Sequence, residues 1–333
     1  MKKVKWGVLS TAKIGIQKVI PGMMKCENLE VVGIASRQIG SAQTAADALG
    51  IARAYGSYEA LLEDETIDAI YNPLPNHLHV PWTIKALQAG KHVLCEKPIA
   101  LHAEEAKLLQ QTAAQFPKLK LMEAFMYRHQ PQWKYAHQKI KDGSIGKLRN
   151  IQSIFSYYND DPQNIRNKAD IGGGGLMDIG CYNISLSRWL FGKQPTKVSA
   201  QIEFDPVMQT DRLASAILDF SVDGLPATSV FTCSTQMVPF QRATILGTTG
   251  AIEIEIPFNV PADKPSRLWV YTAKGKEEVS FDAVDQYTLQ GTSFSQSILD
   301  DSPVYTSIDD AVENMQVLDA IFASAKNQQW VKL

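Results

Sequence analysis

The chain has 333 residues, 45% hydrophobic and 20% charged, with Lys+Arg 33 against Asp+Glu 35 and a net charge of -2. That length exceeds one average domain and predicts two of roughly 100 to 200 residues each, and this much apolar surface offsets the entropy of ordering the backbone, which argues against extensive disorder. Balanced charge without a Lys/Arg cluster argues against nucleic acid as a partner, and no apolar run reaches the roughly 18 residues of a membrane span.

In chain order, Val4–Leu9 is short, β-rich and ends in small residues, and a helix is predicted over 14–25. Leu29–Ala35 is almost continuously apolar, as a strand buried on both faces must be. Helices are predicted over 41–49, 57–63, 80–89 and 103–115, with strands over 67–71, 92–95 and 120–125. Repeated βαβ units with short buried strands imply a parallel sheet covered by helices on both faces. Beyond about residue 147 the pattern changes. Strands are predicted over 151–158, 198–204, 214–221, 227–235, 241–246, 251–256 and 267–271, joined by hairpin-type turns such as Val222-Asp223-Gly224 and Gly247-Thr248-Thr249-Gly250. Helices over 177–191 and 308–327 complete this half. The expected organisation is an α/β dinucleotide-binding domain over 1–123, followed over 124–333 by an α+β domain with a large, mostly antiparallel open sheet.

Four cysteines, Cys26, Cys95, Cys181 and Cys233, lie far apart without a CxxC, so neither a disulfide framework nor a thiolate zinc site is expected. His77 and His79 form an HxH with no third ligand nearby in sequence and read as loop or wall histidines, with no metal. The apolar run after Lys2 and Lys3 is broken by Gly7 and Lys13, which fails as the core of a signal peptide, and cytoplasm is the expected location.

The first βα turn reads Gly7-Val8-Leu9-Ser10-Thr11-Ala12-Lys13-Ile14-Gly15, where a Rossmann fold carries its phosphate loop. Small residues belong there because the backbone must approach a pyrophosphate while helix N-terminal N–H groups point at it. The usual G-x-G-x-x-G stands as Ser10-x-Ala12-x-x-Gly15; alone it equally describes a tight structural turn, and its place in a βαβ repeat favours the dinucleotide. NAD sites carry Asp or Glu about 20 residues further on, bonding the ribose 2'-hydroxyl. Here Ala35-Ser36-Arg37 offers a hydroxyl and a guanidinium fork, which suit a 2'-phosphate, so NADP is expected ahead of NAD; the plain alternative is an exposed loop arginine.

Cys95-Glu96-Lys97-Pro98 closes a strand on the edge where such sheets bind ligands, and Pro98 restricts Lys97 and so aims its ammonium. A lysine there can bind a ribose or substrate hydroxyl, and a nearby positive nicotinamide ring lowers its pKa and favours proton transfer. Farther on, Gly172-Gly173-Gly174-Gly175 runs into a helix whose Asp178, Tyr182 and Ser185 share one face by spacing. Carboxylate and phenol beside a loop without side chains suggest a floor for a small polyhydroxy substrate; a glycine hinge with a buried, hydrogen-bonded tyrosine is the alternative.

Together these features resemble the Gfo/Idh/MocA oxidoreductases over essentially the whole chain, through the phosphate turn, Glu96-Lys97-Pro98, and the Gly173-Gly174-Gly175-Leu176-x-Asp178-x-Gly180 helix. The segments 6–15 and 178–182 look most like the branch of dimeric dihydrodiol dehydrogenase and NADP-dependent D-xylose 1-dehydrogenases. The resemblance implies that Lys97 is the catalytic lysine, Asp178 the family's carboxylate, and Tyr182 the acid/base that replaces a histidine in this branch. Ser185 stands in place of a closing aspartate, which speaks against inositol-type recognition. It implies cofactor contacts from Gly7, Ser10, Thr11, Ala12, Lys13, Ile14, Gly15, Ser36 and Arg37, and from Pro73, Leu74, Asn76 and His79 of the Pro73-Leu74-Pro75-Asn76-His77-x-His79 loop. Glu96 and Lys97 join them, Tyr127-Arg128 matches the family's aromatic-arginine pair, and Arg166 is expected to reach cofactor or substrate. The implied reaction moves a hydride between the nicotinamide and a carbinol carbon of a sugar, sugar derivative or trans-dihydrodiol. Tyr182 assisted by Lys97, or Lys97 alone, carries the proton. A non-catalytic sensor of the same fold is the alternative, and a homodimer or homotetramer through the second domain's sheet is expected by resemblance.

Overall fold

A computed structural model of the chain describes residues 2–222 and 224–333. It divides into two compact units, one running to Met126 and joined by Asp285–Val312, the other comprising Tyr127–Val284 and Glu313–Leu333. A single cut at residue 123 therefore misses the return of Asp285–Val312 to the first unit. The reason is visible in the core. Trp6 and Phe294 are both fully buried with ring centroids 5.5 Å apart, and the Trp6 indole N–H donates to Ser295 Oγ at 3.1 Å. The helix responsible, Gln286–Leu299, buries Gln286, Gln290, Gly291, Ser295 and Ser297 beside Phe294, so its inner face lacks an apolar period that sequence patterning could register.

The first unit holds six strands: β1 (Val4–Leu9), β2 (Leu29–Ala35), β3 (Arg53–Tyr55), β4 (Ala69–Asn72), β5 (His92–Cys95) and β6 (Leu121–Glu123). All neighbours pair in parallel in the order β3-β2-β1-β4-β5-β6. The order turns back at β1, between β2 and β4, which is where a doubly wound sheet opens a crevice at its carboxyl ends. The first helix is shorter and less regular than expected, a π-helical turn over Gly15–Val19 followed by Ile20–Met23.

The second unit holds β7 (Leu148–Tyr158), β8 (Lys197–Phe204), β9 (Asp211–Asp219), β10 (Thr228–Ser234), β11 (Gln236–Gly247), β12 (Ala251–Ile254), β13 (Ser266–Thr272), β14 (Gly275–Phe281) and β15 (Val331–Lys332). They form one sheet, β14-β13-β12-β11-β7-β10-β9-β8-β15, antiparallel throughout except for the parallel pair of β7 with β10. Gly247-Thr248-Thr249-Gly250 makes the β11–β12 hairpin, while Asp223 of the expected Val222-Asp223-Gly224 turn lies outside the described residues. The helix Pro131–Lys141 escapes sequence patterning because it buries only Gln132, Trp133 and Ala136. Helix Cys181–Phe191 lies on one face of the sheet through polar contacts, with the Asn183 amide donating to Ser153 Oγ at 2.7 Å and Ser187 Oγ 2.6 Å from Ser229 Oγ. No helix among the described residues is long and apolar enough to cross a membrane.

Candidate functional site

In the first unit the candidate residues gather at the carboxyl ends of β1, β2, β4 and β5, because parallel strands deliver every following loop to the same sheet edge. The chain leaves β1 at Ser10, which adopts the left-handed region at φ 81°. Glycine normally fills such a position; the serine is held by its own N–H to Ala35 O at 2.9 Å and by its Oγ, which accepts from Ala12 N–H at 3.3 Å. Ser10, Thr11, Ala12 and Ile14 are half-buried, Lys13 is exposed, and Gly15 is buried where the helical turn begins. Small side chains on a left-handed turn leading into helical N–H groups fit a pyrophosphate. At Gly7 a Cβ would come within 2.6 Å of Leu61 Cδ2, so this glycine lets a helix pack on β1.

At the end of β2, Ser36 is half-buried with its N–H on Tyr55 O at 3.0 Å, and Arg37 is exposed. Arg37 lies close enough to Tyr58 for its charge to oppose the upward push of burial on that phenol. No carboxylate occurs between Ala35 and Gln38, which fits a 2'-phosphate better than a free 2'-hydroxyl.

The loop after β4 is held from beneath. Pro73 and Leu74 are buried, Asn76 is half-buried, and His79 is 1% exposed. The two ring nitrogens of His79 lie 2.7 Å from Pro98 O and 2.6 Å from Leu74 O. Burial pushes its imidazole down to about 4, and the two carbonyls pull the other way. His79 thus sets the loop against the Glu96-Lys97-Pro98 turn, a fastening role beside the cofactor contact expected of it. The turn itself is gripped on both sides of Lys97, whose peptide to Pro98 is cis. Tyr71 Oη donates to Glu96 Oε1 at 2.7 Å, and Ile99 N–H donates to Glu123 Oε1 at 2.8 Å. Lys97 is half-buried among these fixed groups.

In the second unit the glycine loop enters a π-helical turn over Leu176–Gly180 before helix Cys181–Phe191. Asp178 accepts from Tyr157 Oη at 2.6 Å and from Arg166 Nε at 3.0 Å. Arg166 is brought there by its backbone, since its carbonyl accepts from Gly174 N–H at 2.8 Å and a Cβ on Gly173 would lie 2.6 Å from that oxygen. The guanidinium is raised above its ordinary value chiefly by Asp178, and the charges of Tyr157 and Tyr182 act on it too. Burial, then Asp178, pushes the Tyr157 phenol far up. Tyr182 is 5% exposed in an aromatic cage, with ring centroids 5.4 Å from Phe258, 5.7 Å from Phe155 and 5.8 Å from Tyr127.

Helical spacing placed Ser185 with Asp178 and Tyr182, and the structure separates it from them in role. Ser185 is fully buried, its Oγ 2.9 Å from Tyr127 Oη and accepting from Arg128 Nη2 at 2.7 Å, so it anchors the Tyr127-Arg128 pair. Sequence reasoning missed Tyr71, Glu123, Tyr157 and Asp211. Each sits in or at the end of a strand, where a polar residue reads as ordinary punctuation. Among the described residues no group of three or more His, Cys, Asp or Glu is placed to hold a metal ion.

Comparison with known proteins gives this arrangement its context. Residues 4–125 match an oxidoreductase family with an NAD-binding Rossmann fold, and residues 133–253 match the GFO/IDH/MocA C-terminal domain. The chain belongs to the Gfo/Idh/MocA oxidoreductase family. Among its relatives, a D-xylose 1-dehydrogenase (NADP(+)) of Haloferax volcanii is 35% identical over 98% of this chain and 99% of its own. A trans-1,2-dihydrobenzene-1,2-diol dehydrogenase of Xenopus laevis is 31% identical over 94% and 98%. A 3-ketoreductase from Actinomadura kijaniata, solved with NADP and TDP-benzene, superposes with a TM-score of 0.89 at 28% identity, covering 97% of this chain and 98% of that one. This family member is therefore an oxidoreductase with an NAD(P)-binding Rossmann fold and a second unit of the family's mixed-sheet type.

The left-handed serine gives a direct test of the phosphate turn. Replacing Ser10 with Gly removes the Cβ strain together with the Oγ bond, whereas Ser10→Ala removes the bond and keeps the strain. Denaturant unfolding should find Ser10→Gly about as stable as the parent and Ser10→Ala weaker by about 1 kcal/mol. Equal stability of the two variants would contradict this account of the turn.

Proposed function

We propose that the chain is an NADP-dependent dehydrogenase acting on the CH–OH group of a sugar, sugar derivative or trans-diol. The observation that carries the reading is the Tyr157–Asp178–Arg166 network at the start of the helix that bears Tyr182. When bound, the nicotinamide supplies or takes up the hydride. Tyr182 Oη gives the proton to the substrate oxygen or takes it away. A cation near a phenol stabilises its anion, and Arg166 is near enough for the two charges to act on each other. Asp178 would oppose that anion if left bare; its bonds from Arg166 and Tyr157 spread its charge and fix its direction. Lys97, held on its turn by the grip on Glu96, Pro98 and Ile99, serves the nicotinamide end of the cofactor site. Ser36 and the exposed Arg37 support NADP, and the NADP named with the xylose dehydrogenase and the ketoreductase agrees with that choice.

The sheet of the second unit supports a homo-oligomer in the same reading. Ile154, Ile217, Val230 and Phe240 on neighbouring strands are 37% to 45% exposed, and Ile217 pairs directly with Val230. Apolar side chains aligned across strands favour a partner over water. Light scattering at micromolar concentration should give at least a dimer; a monomer would contradict this part.

For the chemistry, Tyr182→Phe should leave NADPH binding intact and cut turnover by about 10²-fold or more, the range general acid-base catalysis contributes. Lys97→Met, followed over pH beside it, separates the two candidate proton carriers. Unchanged turnover in Tyr182→Phe would overturn the assignment of the proton to that tyrosine.

A further inference from the structure

Asp211 opens β9 and is 2% exposed. Its Oδ2 accepts from Leu176 N–H at 2.6 Å, and Gly175 N–H also donates to the carboxylate. The loop is moulded to it. Gly174 stands at φ +122°, and a Cβ on this residue would fall 2.0 Å from Asp211 Oδ1. At Gly175 the same atom would fall 3.2 Å from Oδ2. The carboxylate therefore occupies the volume that side chains at these positions would need.

Burial pushes the Asp211 carboxyl up to about 6, the backbone N–H groups pull it down, and the nearby charge of Asp178 pushes it up again. Tyr157 and Cys233 also sense it, while the neighbouring Arg212 turns to Glu203 and Asp205 instead. An ionised carboxylate in this position costs folding free energy that a neutral residue of similar size would not. What the charge supplies is a fixed direction for the backbone from Gly174 to Leu176. Asp178 N–H donates to Gly174 O at 3.0 Å, so Asp178 inherits that direction within one turn and Tyr182 within the next.

We propose that Asp211 is a positioning residue of the proton-transfer site, setting the start of the helix that carries Asp178 and Tyr182. The inference rests on the reading of Tyr182 as the proton carrier. Its test is a double-mutant cycle with Asp211→Asn, Tyr182→Phe and the pair together, with Asp211→Ser as a second, smaller replacement. Asp211→Asn should lower kcat about tenfold or more, with KM and NADPH affinity within about twofold of the parent. Adding it to Tyr182→Phe should cost nothing further, because a misplaced tyrosine and a missing hydroxyl fail at the same step.

A silent Tyr182→Phe would sink the proton-carrier reading itself. A damaging Tyr182→Phe combined with a silent Asp211→Asn, or with losses that multiply in the pair, would overturn the role of Asp211 alone. Failure of both Asp211 variants to fold would overturn it as well, assigning the residue to stability.

Discussion

Two buried carboxylates, one in each unit, take up the backbone N–H groups of the turns on which the candidate site is built. Glu123 at the end of β6 receives Ile99 N–H and so closes the Glu96-Lys97-Pro98 turn, and Asp211 at the start of β9 receives Leu176 N–H and closes the glycine loop. Irregular backbone in a buried place must find partners for its N–H groups, and neither turn belongs to a sheet ladder or a helix interior that would provide them. A carboxylate meets the need with charge-assisted bonds, at a desolvation cost shown by the raised Asp211. Such a cost is tolerated where a fixed geometry is worth more than stability.

The elements around these turns act as supports. In the first unit the His79 ring sits between Leu74 O and Pro98 O and sets the β4 loop against the Glu96-Lys97-Pro98 turn, and Tyr71 holds Glu96 from the neighbouring strand. In the second, the helix bearing Tyr182 is fastened to the sheet through Asn183 and Ser187 and to the Tyr127-Arg128 pair through Ser185. These contacts are polar and buried, so they specify direction more sharply than apolar packing would. The phosphate turn after β1 and the glycine loop also lead into π-helical geometry, over Gly15–Val19 and Leu176–Gly180, a form that recurs at functional sites.

Much of this was legible in the sequence. The βαβ alternation, the continuously apolar Leu29–Ala35 and the position of Ser10-x-Ala12-x-x-Gly15 after β1 are local signals, and they fixed the parallel sheet and its ligand edge. Helical spacing brought Asp178 and Tyr182 to one element, but it also brought Ser185, because spacing reports a face and says nothing of what that face meets. The return of Asp285–Val312 to the first unit was hidden because its helix buries glutamines and serines. Tyr157, Glu123 and Asp211 were hidden for a related reason: their partners Asp178, Ile99 and Leu176 lie 21, 24 and 35 residues away, and no local pattern records them.

Two parts of the proposed function meet in one assay: the choice of a 2'-phosphorylated dinucleotide, for which Ser36 and Arg37 speak, and the oxidation of a carbinol carbon. Turnover of a panel of aldoses, polyols and trans-diols, followed by nicotinamide absorbance with NADP and with NAD side by side, tests both parts at once. The account predicts reduction of NADP by at least one class of these alcohols, with kcat/KM for NADP well above that for NAD. A strong preference for NAD, or tight NADPH binding with no turnover of any member of the panel, would contradict it.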